Sequence, residues 1–138
     1  MERLITRSRT FVKALDSLQE AIEKFGNYND PFSSEYRTYR DSLIQRFEYC
    51  TDIFWKFLNA YLRVKMAIVV EIARPKVIFK ESSSVGLIDN DELQMCDKLI
   101  EDRNLTSHTY HEELAEEIAG KVPGYYELMR TVARRIIE

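Results

Sequence analysis

The stretch YRTYRDSLIQRFEYCTDIFWKFLNAYL, residues 36–62, carries the strongest fold signal in the chain. Its apolar residues recur at steps of three and four, which is the period of one face of an α-helix. At ~1.5 Å per residue, this apolar seam is on the order of 40 Å long. Such a helix needs partners of similar length, so the stretch predicts an all-α helical bundle. The seam consists of Tyr36, Tyr39, Leu43, Phe47, Cys50, Phe54, Phe57 and Tyr61.

A second apolar line, formed by Trp55, Leu58 and Leu62, runs beside this seam. A helix with two apolar lines can pack into a core along one line and contact a second subunit along the other. The second line can equally belong to a wide core stripe. It therefore leaves dimerisation and additional core packing as open alternatives.

The composition agrees with long helices in a single domain over residues 1–138. The chain holds only 4 Gly and 3 Pro, which leaves few tight turns, and its net charge of −3 argues against general coating of nucleic acid. Cys50 and Cys96 lie in apolar surroundings without metal-site spacing, so we expect buried, reduced thiols. The N-terminus has no signal-peptide core, and charged residues interrupt the most apolar region. We therefore expect a cytoplasmic protein without a membrane span.

Five further helices accompany this central helix in the prediction. A stripe from Leu4 to Phe25 predicts the first, and Pro75 precedes a short helix over residues 76–84. Asp89 and Glu92 form a capping-box pattern that begins another helix. Thr109 and Glu112 repeat the pattern, and this helix would carry Tyr110, Leu114 and Ile118 on one face. The sequence GKVPG, residues 120–124, should break it before a final helix that carries Tyr125.

Residues 64–72, VKMAIVVEI, fit none of these helices well. Their β-branched run resembles a strand, but the sequence offers no partner strand. Two interpretations stay open, a frayed end of the central helix and an exposed contact surface.

The candidate site lies in EDRNLTSHTYHEE, residues 101–113. On one ideal helix Arg103 and His108 would lie about 140° apart. A new helix beginning at Thr109 requires a bend before it, and the bend would let the two side chains converge. Arginine binds phosphate oxygens with a planar set of donors, and histidine can exchange a proton with a ribose hydroxyl or a leaving oxygen. The pattern therefore favours chemistry on a phosphodiester.

A structural role is the alternative for this stretch. Arg103 would then pair with a neighbouring acid, and His108 would be a polar residue at a helix junction. We expect His111 on the surface, and we expect the acids of residues 112–117 and the basic residues Arg37 and Arg40 on solvated helix faces. The sequence has no glycine-rich phosphate loop and no metal-ligand cluster, so no metal and no cofactor are expected. The acids considered as partners of Arg103 are Asp97, Glu101 and Asp102.

These residues also carry a family resemblance. RNLTSHTY, residues 103–110, resembles the R-x4-H-x-Y motif of the HepT-like branch of the HEPN superfamily. Three longer segments resemble the nucleotidyltransferase substrate-binding protein family in the family's order, and together they cover most of residues 40–118. They are LIQRFEYCTDIFWKFL (43–58), RPKVIFKESSSVGLIDNDE (74–92) and IEDRNLTSHTYHEELAEEI (100–118).

The resemblance implies an antiparallel up-and-down four-helix bundle with additional short helices, which dimerises. It also implies a companion protein, a minimal nucleotidyltransferase. In the HepT-like branch the two act as toxin and antitoxin. The HEPN protein is a metal-independent ribonuclease, and the nucleotidyltransferase silences it by attaching AMP to the motif tyrosine. By position, Arg103 and His108 would be the catalytic pair, Asn104 would orient the phosphate or the arginine, and Tyr110 would be the modified residue.

Two functions follow from this resemblance. The first is a HepT-like endoribonuclease that acts on RNA and is regulated by its nucleotidyltransferase. The second is a non-catalytic subunit that binds a nucleotide or other substrate for that enzyme. The complete motif favours the first, and the acidic residues around it favour the second. A homodimer would supply two histidines, one as general acid and one as general base.

Overall fold

The computed structural model describes residues 1–137, and within this range it is all-helical with no strand. The predicted all-α fold is therefore confirmed. A short 3-10 turn, Thr106–His108, follows the fourth of five α-helices. The helices are α1 (Glu2–Phe25), α2 (Ser34–Lys65), α3 (Pro75–Ser84), α4 (Asn90–Leu105) and α5 (Glu112–Ile137).

The four long helices alternate in direction along the chain. Near the loop that joins α1 to α2, the ring centroids of Phe25 and Tyr36 lie 4.8 Å apart, and farther along Phe11 stacks on Phe54. These pairs make α1 and α2 antiparallel.

The Glu92–Arg135 ion pair joins the start of α4 to the end of α5, and the Asp102–Tyr125 hydrogen bond joins the end of α4 to the middle of α5, so these two helices are antiparallel. Arg40 pairs with Glu112, and Cys50 contacts Met129, so α2 and α5 run in the same direction. Each long helix therefore reverses the direction of the one before it.

The apolar seam of α2 lies in the core, as predicted. Six of its residues, Tyr36, Leu43, Phe47, Cys50, Phe54 and Phe57, are buried. Leu58 and Leu62 of the second apolar line are also fully buried within one chain, while Trp55 is half-buried. The second line therefore packs mainly into the core, and it gives no argument for a dimer. Dimerisation stays a prediction that needs other grounds.

Several predicted helix ends are confirmed by their hydrogen bonds. The Asp89 carboxylate accepts from the Glu92 backbone N–H at 2.8 Å, and the Glu92 carboxylate accepts from the Asp89 backbone N–H at 2.9 Å. This is the reciprocal capping box that the sequence predicted at the start of α4. Pro75 occupies the first turn of α3, and Gly86 follows that helix with a φ of 81° that suits glycine.

Two predictions about the last helix are wrong. Thr109 does not cap it, because α5 begins at Glu112 and the Thr109 hydroxyl donates instead to the Thr106 carbonyl at 2.9 Å. The GKVPG sequence does not break it either, because α5 runs without interruption through Pro123. Proline in a helix interior costs about 3 kcal/mol. Burial of Val122 and Tyr125 on either side of it offsets this cost by keeping both halves of the helix in the core.

Residues 66–72 form neither a helix end nor a strand. α2 ends at Lys65, and Ala67 then adopts a positive φ of 55°. Beyond it the chain forms no helix or strand before Pro75, and Ile68 and Val70 pack against the core while Val69 is exposed between them. The segment therefore belongs to the surface, as one of the two interpretations held, but its role in contacts stays a prediction.

Both cysteines are buried and unpaired, as the sequence predicted. Burial raises the pKa of the Cys50 thiol to about 12 and also raises that of Cys96. Over residues 1–137, no helix combines the length and apolar character that a membrane span requires.

Candidate functional site

Arg103 lies in the last turn of α4, where its guanidinium faces α2. Its Nε and Nη2 atoms donate to the two carboxylate oxygens of Asp52, each at 2.9 Å. This two-point pairing fixes the plane of the guanidinium as well as its position. Hydrogen bonding to Asp52 also raises the pKa of Arg103, so the side chain stays charged. Asp52 is therefore the residue that positions Arg103.

The edge of the guanidinium that carries Nη1 makes weaker contacts than the edge that binds Asp52. Nη1 lies 3.4 Å from the Glu48 carboxylate and 3.4 Å from the Thr106 hydroxyl, which are long distances for a hydrogen bond. An arginine has five N–H donors, and Asp52 takes two of them. The N–H groups of Nη1 and the second N–H of Nη2 can thus donate to another anion. The Arg103 side chain is 25% exposed, so such an anion can reach it. This edge is suited to a phosphate oxygen.

Thr106 fixes the point at which α4 ends. Its side chain is buried, and its hydroxyl donates to the Glu48 carboxylate and lies 2.6 Å from the Arg103 carbonyl. The 3-10 turn begins at this residue. The backbone N–H of Thr106 donates to the Arg103 carbonyl. One of the carbonyls that the end of a helix leaves free is thus satisfied while the hydroxyl binds α2.

His108 and Tyr110 lie beyond this point, on the exposed surface of the turn. The Tyr110 side chain is 73% exposed, which corrects its predicted place on the apolar face of the last helix. Its ring centroid lies 6.2 Å from that of His108 and 4.4 Å from that of His111. His108 and His111 are both exposed, as was predicted for His111. The turn thus presents two imidazoles and a phenol together to the solvent.

The predicted bend is present, but Arg103 and His108 do not contact each other in the described chain. Arg103 is bonded to residues of α2, whereas His108 contacts Tyr110. Asn104 is exposed beside Arg103, and its backbone carbonyl accepts from the Ser107 hydroxyl at 3.3 Å. Convergence of the arginine and histidine on one phosphate therefore remains a prediction.

The neighbouring acids considered as partners of Arg103 do not pair with it. Glu101 pairs with Lys76 at 3.0 Å. Asp102 is buried, accepts from the Tyr125 hydroxyl and lies 3.5 Å from the Lys121 amine. These acids connect α4 to α3 and α5. They leave Asp52 and Glu48 as the acids that surround the candidate site.

A buried arginine fixes the other end of the turn. The Arg40 side chain is only 2% exposed, and its Nη1 atom donates to Glu112 at 2.5 Å and to Glu116 at 3.0 Å. Glu116 also accepts from the Tyr36 hydroxyl at 2.6 Å. The prediction of a solvated face is therefore wrong for Arg40, whereas Glu112 is exposed as predicted and Glu116 is half-exposed. They attach the first turn of α5 to α2.

Sequence reasoning missed Asp52, Glu48 and Arg40 as supports of the site. A signal for the two acids was present, because Glu48 and Asp52 are four residues apart and lie on one side of α2, away from the apolar seam. Their pairing with a residue of α4 could not be read from the spacing. Among residues 1–137, no group of three or more acidic, histidine or cysteine side chains is placed to hold a metal ion.

Comparison with known proteins adds a family and a set of similar folds. A family model described as nucleotidyltransferase substrate binding protein like matches residues 6–138. None of the curated proteins matches the chain.

Among similar solved structures, a protein from Thermus thermophilus is 38% identical, with a TM-score of 0.80 over 93% of this chain and 99% of that one. A toxin–antitoxin structure with AMP-PNP is 18% identical, with a TM-score of 0.70 over 96% of each chain. A tri-AMPylated HEPN toxin from Shewanella oneidensis, in complex with MNT antitoxin, is also 18% identical, with a TM-score of 0.69 over 95% of this chain and 93% of that one. At 18% identity these two likenesses show a shared fold.

Proposed function

The chain belongs to the nucleotidyltransferase substrate-binding protein-like family, as its sequence resemblance predicted, and from this membership we propose that it is the HEPN-type partner of a minimal nucleotidyltransferase. In this proposal it is a metal-independent endoribonuclease, and the partner silences it by adding AMP to Tyr110. The observation that carries the proposal is the exposed turn, which presents His108 and Tyr110 side by side beyond an arginine that Asp52 positions. The fold shared with an AMPylated HEPN toxin supports it.

The cleavage chemistry assigns one role to each side chain. The ribose 2′-oxygen attacks the adjacent phosphorus while the bond to the 5′-oxygen breaks, which leaves a cyclic phosphate and a free 5′-hydroxyl. One histidine removes the 2′-hydroxyl proton, and a protonated histidine gives a proton to the 5′-oxygen. The free edge of Arg103 stabilises the charge that develops on the phosphate oxygens.

A homodimer completes this scheme. One His108 cannot easily act as general acid and general base in the same step, and a second copy would supply the second imidazole. Because Leu58 and Leu62 are buried within one chain, the dimer contact does not use the second apolar line of α2. The turn that carries His108 is the region that two copies must bring together.

Silencing follows from the position of Tyr110. Its oxygen would attack the α-phosphorus of ATP, with release of pyrophosphate and loss of the phenolic proton. The side chain is 73% exposed, so a modifying enzyme can reach it without unfolding the chain. An AMP group here places a negative charge beside His108, where it repels and blocks the RNA phosphate.

The decisive experiment is RNA cleavage by the purified chain in the presence of a chelator. We expect wild type to cleave RNA, His108→Ala to be inactive, and His111→Ala to keep its activity. His111 is the matched control because it is exposed in the same turn. Equal inactivity of wild type and His108→Ala would overturn the ribonuclease proposal.

A non-catalytic subunit that binds a nucleotide or other substrate is the second candidate function. The pairing of Arg103 with Asp52 and its proximity to Glu48 favour it, because these acids oppose the approach of RNA phosphates. It would be supported if the wild-type chain binds ATP or RNA without cleavage, and if the Arg103→Ala variant loses that binding.

A further inference from the structure

A basic groove lies between the first half of α1 and the second half of α2. It consists of two adjoining hollows of about 250 and 380 Å³, and both are lined by Arg3, Arg7 and Lys56. The smaller hollow extends along α2 to Trp55, and it also includes Asn59 and Arg63. In the following paragraphs this site is called the α1–α2 groove.

The charge of the α1–α2 groove is opposite to that of the whole chain. Arg3, Arg7, Lys56 and Arg63 line it, and no carboxylate does, although the net charge of the chain is −3. Within residues 1–137 none of these four side chains forms an ion pair. Four like charges that share one groove repel one another, so the arrangement favours binding of an extended anion.

The spacing of these cations suits a chain of phosphates. Arg3 and Arg7 are four residues apart and lie on one face of α1, while Lys56 and Arg63 are seven residues apart on one face of α2. The positive charges therefore extend along both helices for roughly 6 to 10 Å, at 1.5 Å of rise per residue. A single inorganic phosphate would contact only part of this surface.

Trp55 adds a planar surface for a base. It is half-buried, lines the smaller hollow, and its ring centroid lies 5.9 Å from the Lys56 amine. An aromatic side chain beside a row of cations is the arrangement that binds single-stranded nucleic acid, because bases stack on the ring while phosphates meet the cations. Duplex nucleic acid can place phosphates on the cations but cannot stack a base on Trp55, since its base faces are stacked inside the helix.

We propose that the α1–α2 groove binds single-stranded RNA, with phosphates on Arg3, Arg7, Lys56 and Arg63 and a base stacked on Trp55. The choice of RNA rests on the ribonuclease function proposed above. Lys56 lies one helical turn from Asp52, which binds Arg103, so the groove approaches the candidate site along α2. The groove thus supplies the RNA affinity that the acids around Arg103 reduce.

Trp55 is the only tryptophan, so its fluorescence reports directly on the groove. The experiment uses the His108→Ala chain, which leaves the RNA intact, and titrates it with an oligouridylate of about twelve nucleotides. We expect saturable quenching. An equally strong response to ATP or to duplex RNA would overturn the proposal, because the groove would then not select a single strand.

Charge-removal variants test the cations in the same host chain. In Arg7→Gln/Lys56→Gln we expect affinity to fall about tenfold, and the slope of log affinity against log salt to fall by about 1.4 for two lost phosphate contacts. The matched control is Arg9→Gln/Lys80→Gln, which removes two exposed cations outside the groove and should keep both values. Equal losses in the two double variants would contradict the proposal.

The outcomes of these experiments distinguish a failure of the groove proposal from a failure of the proposed ribonuclease activity. If wild type cleaves RNA but the groove variants bind RNA as tightly as the control, the groove proposal fails and the activity stands. If wild type does not cleave RNA while the His108→Ala chain binds it through the groove, the activity fails and the groove proposal stands.

Discussion

Asp52 of α2 binds Arg103 of α4 through both of its carboxylate oxygens, at 2.9 Å each. The first residue of the candidate catalytic motif is therefore oriented by a helix that lies 51 residues earlier in the chain. Because Asp52 takes the Nε edge of the guanidinium, it decides which donors remain for a phosphate.

The first prediction concerns this pair. In Asp52→Asn we expect kcat for RNA cleavage to fall about tenfold to hundredfold, with a smaller change in KM, because Arg103 loses its fixed orientation. Both side chains are partly exposed, so the free energy of unfolding should fall by only about 1 kcal/mol. Steady-state kinetics and urea unfolding measure the two effects.

A conservative replacement shows whether Asp52 acts by positioning Arg103 or only by supporting the fold. Asp52→Glu keeps a carboxylate and should restore part of kcat, whereas the control Glu127→Gln, which removes an exposed carboxylate, should leave kcat unchanged. A fully active Asp52→Asn variant would show that the pair does not position the arginine for catalysis.

The second prediction concerns Tyr110. In Tyr110→Phe we expect folding stability and RNA cleavage to stay near wild type, within about 0.5 kcal/mol for stability, because the side chain is exposed and makes no hydrogen bond in residues 1–137. Co-expression with the partner nucleotidyltransferase should add AMP to wild type but not to this variant. Intact-protein mass spectrometry checks the modification, with Tyr49→Phe, another exposed tyrosine, as the control. Persistent modification of Tyr110→Phe would place AMP on another residue.

The sequence predicted the core of α2 because periodicity is a local property. Leu43 and Phe57 could be assigned to the buried face without knowledge of what packs on them. The capping box of Asp89 and Glu92 was equally local, since both hydrogen bonds join residues three positions apart.

The errors concern residues whose environment is supplied by distant parts of the chain. Pro123 indicates a helix break on local grounds, but the buried residues beside it keep α5 continuous. Arg40 resembled a surface residue because its acidic partners on α5 are more than 70 positions later. For the same reason the sequence indicates nearby acids as partners of Arg103, whereas its partner Asp52 lies on α2.

The third prediction tests the buried arginine. In Arg40→Met we expect the free energy of unfolding to fall by about 1–2 kcal/mol, because the side chain loses charge-assisted hydrogen bonds to Glu112 and Glu116. The figure is modest because both partner carboxylates are exposed to solvent. Urea unfolding at neutral pH measures it. Arg37→Met, on an exposed position of the same helix, should cost much less, and equal costs would contradict a specific role for Arg40.

The fourth prediction concerns pH dependence at the start of α4. Hydrogen bonding to Arg135, and then to the Asp89 backbone, lowers the pKa of the Glu92 carboxyl below its usual value of 4.5. The stabilisation is therefore fully present above about pH 4.5 and is lost as the pH falls through the lowered pKa. We expect Glu92→Gln to cost about 1 kcal/mol at neutral pH and progressively less in acid.

Urea unfolding of wild type and Glu92→Gln at neutral pH and at about pH 3 checks this sign. Glu127→Gln provides the control, since that carboxylate is exposed and its removal should have little effect at either pH. A cost for Glu92→Gln that grows in acid would contradict the lowered pKa.

The turn after α4 is attached to a single helix at both of its ends. Thr106 binds Glu48 on one side, and Glu112 binds Arg40 on the other, so both attachments lie on α2, roughly 12 Å apart along its axis at 1.5 Å per residue. The five residues between these attachments are exposed or half-exposed, and the core does not depend on them. The segment that carries the candidate chemistry is thus held by α2 at both ends and contributes no buried side chain between them. A substitution between residues 107 and 111 can therefore alter the candidate chemistry while the core and both attachments to α2 stay as they are.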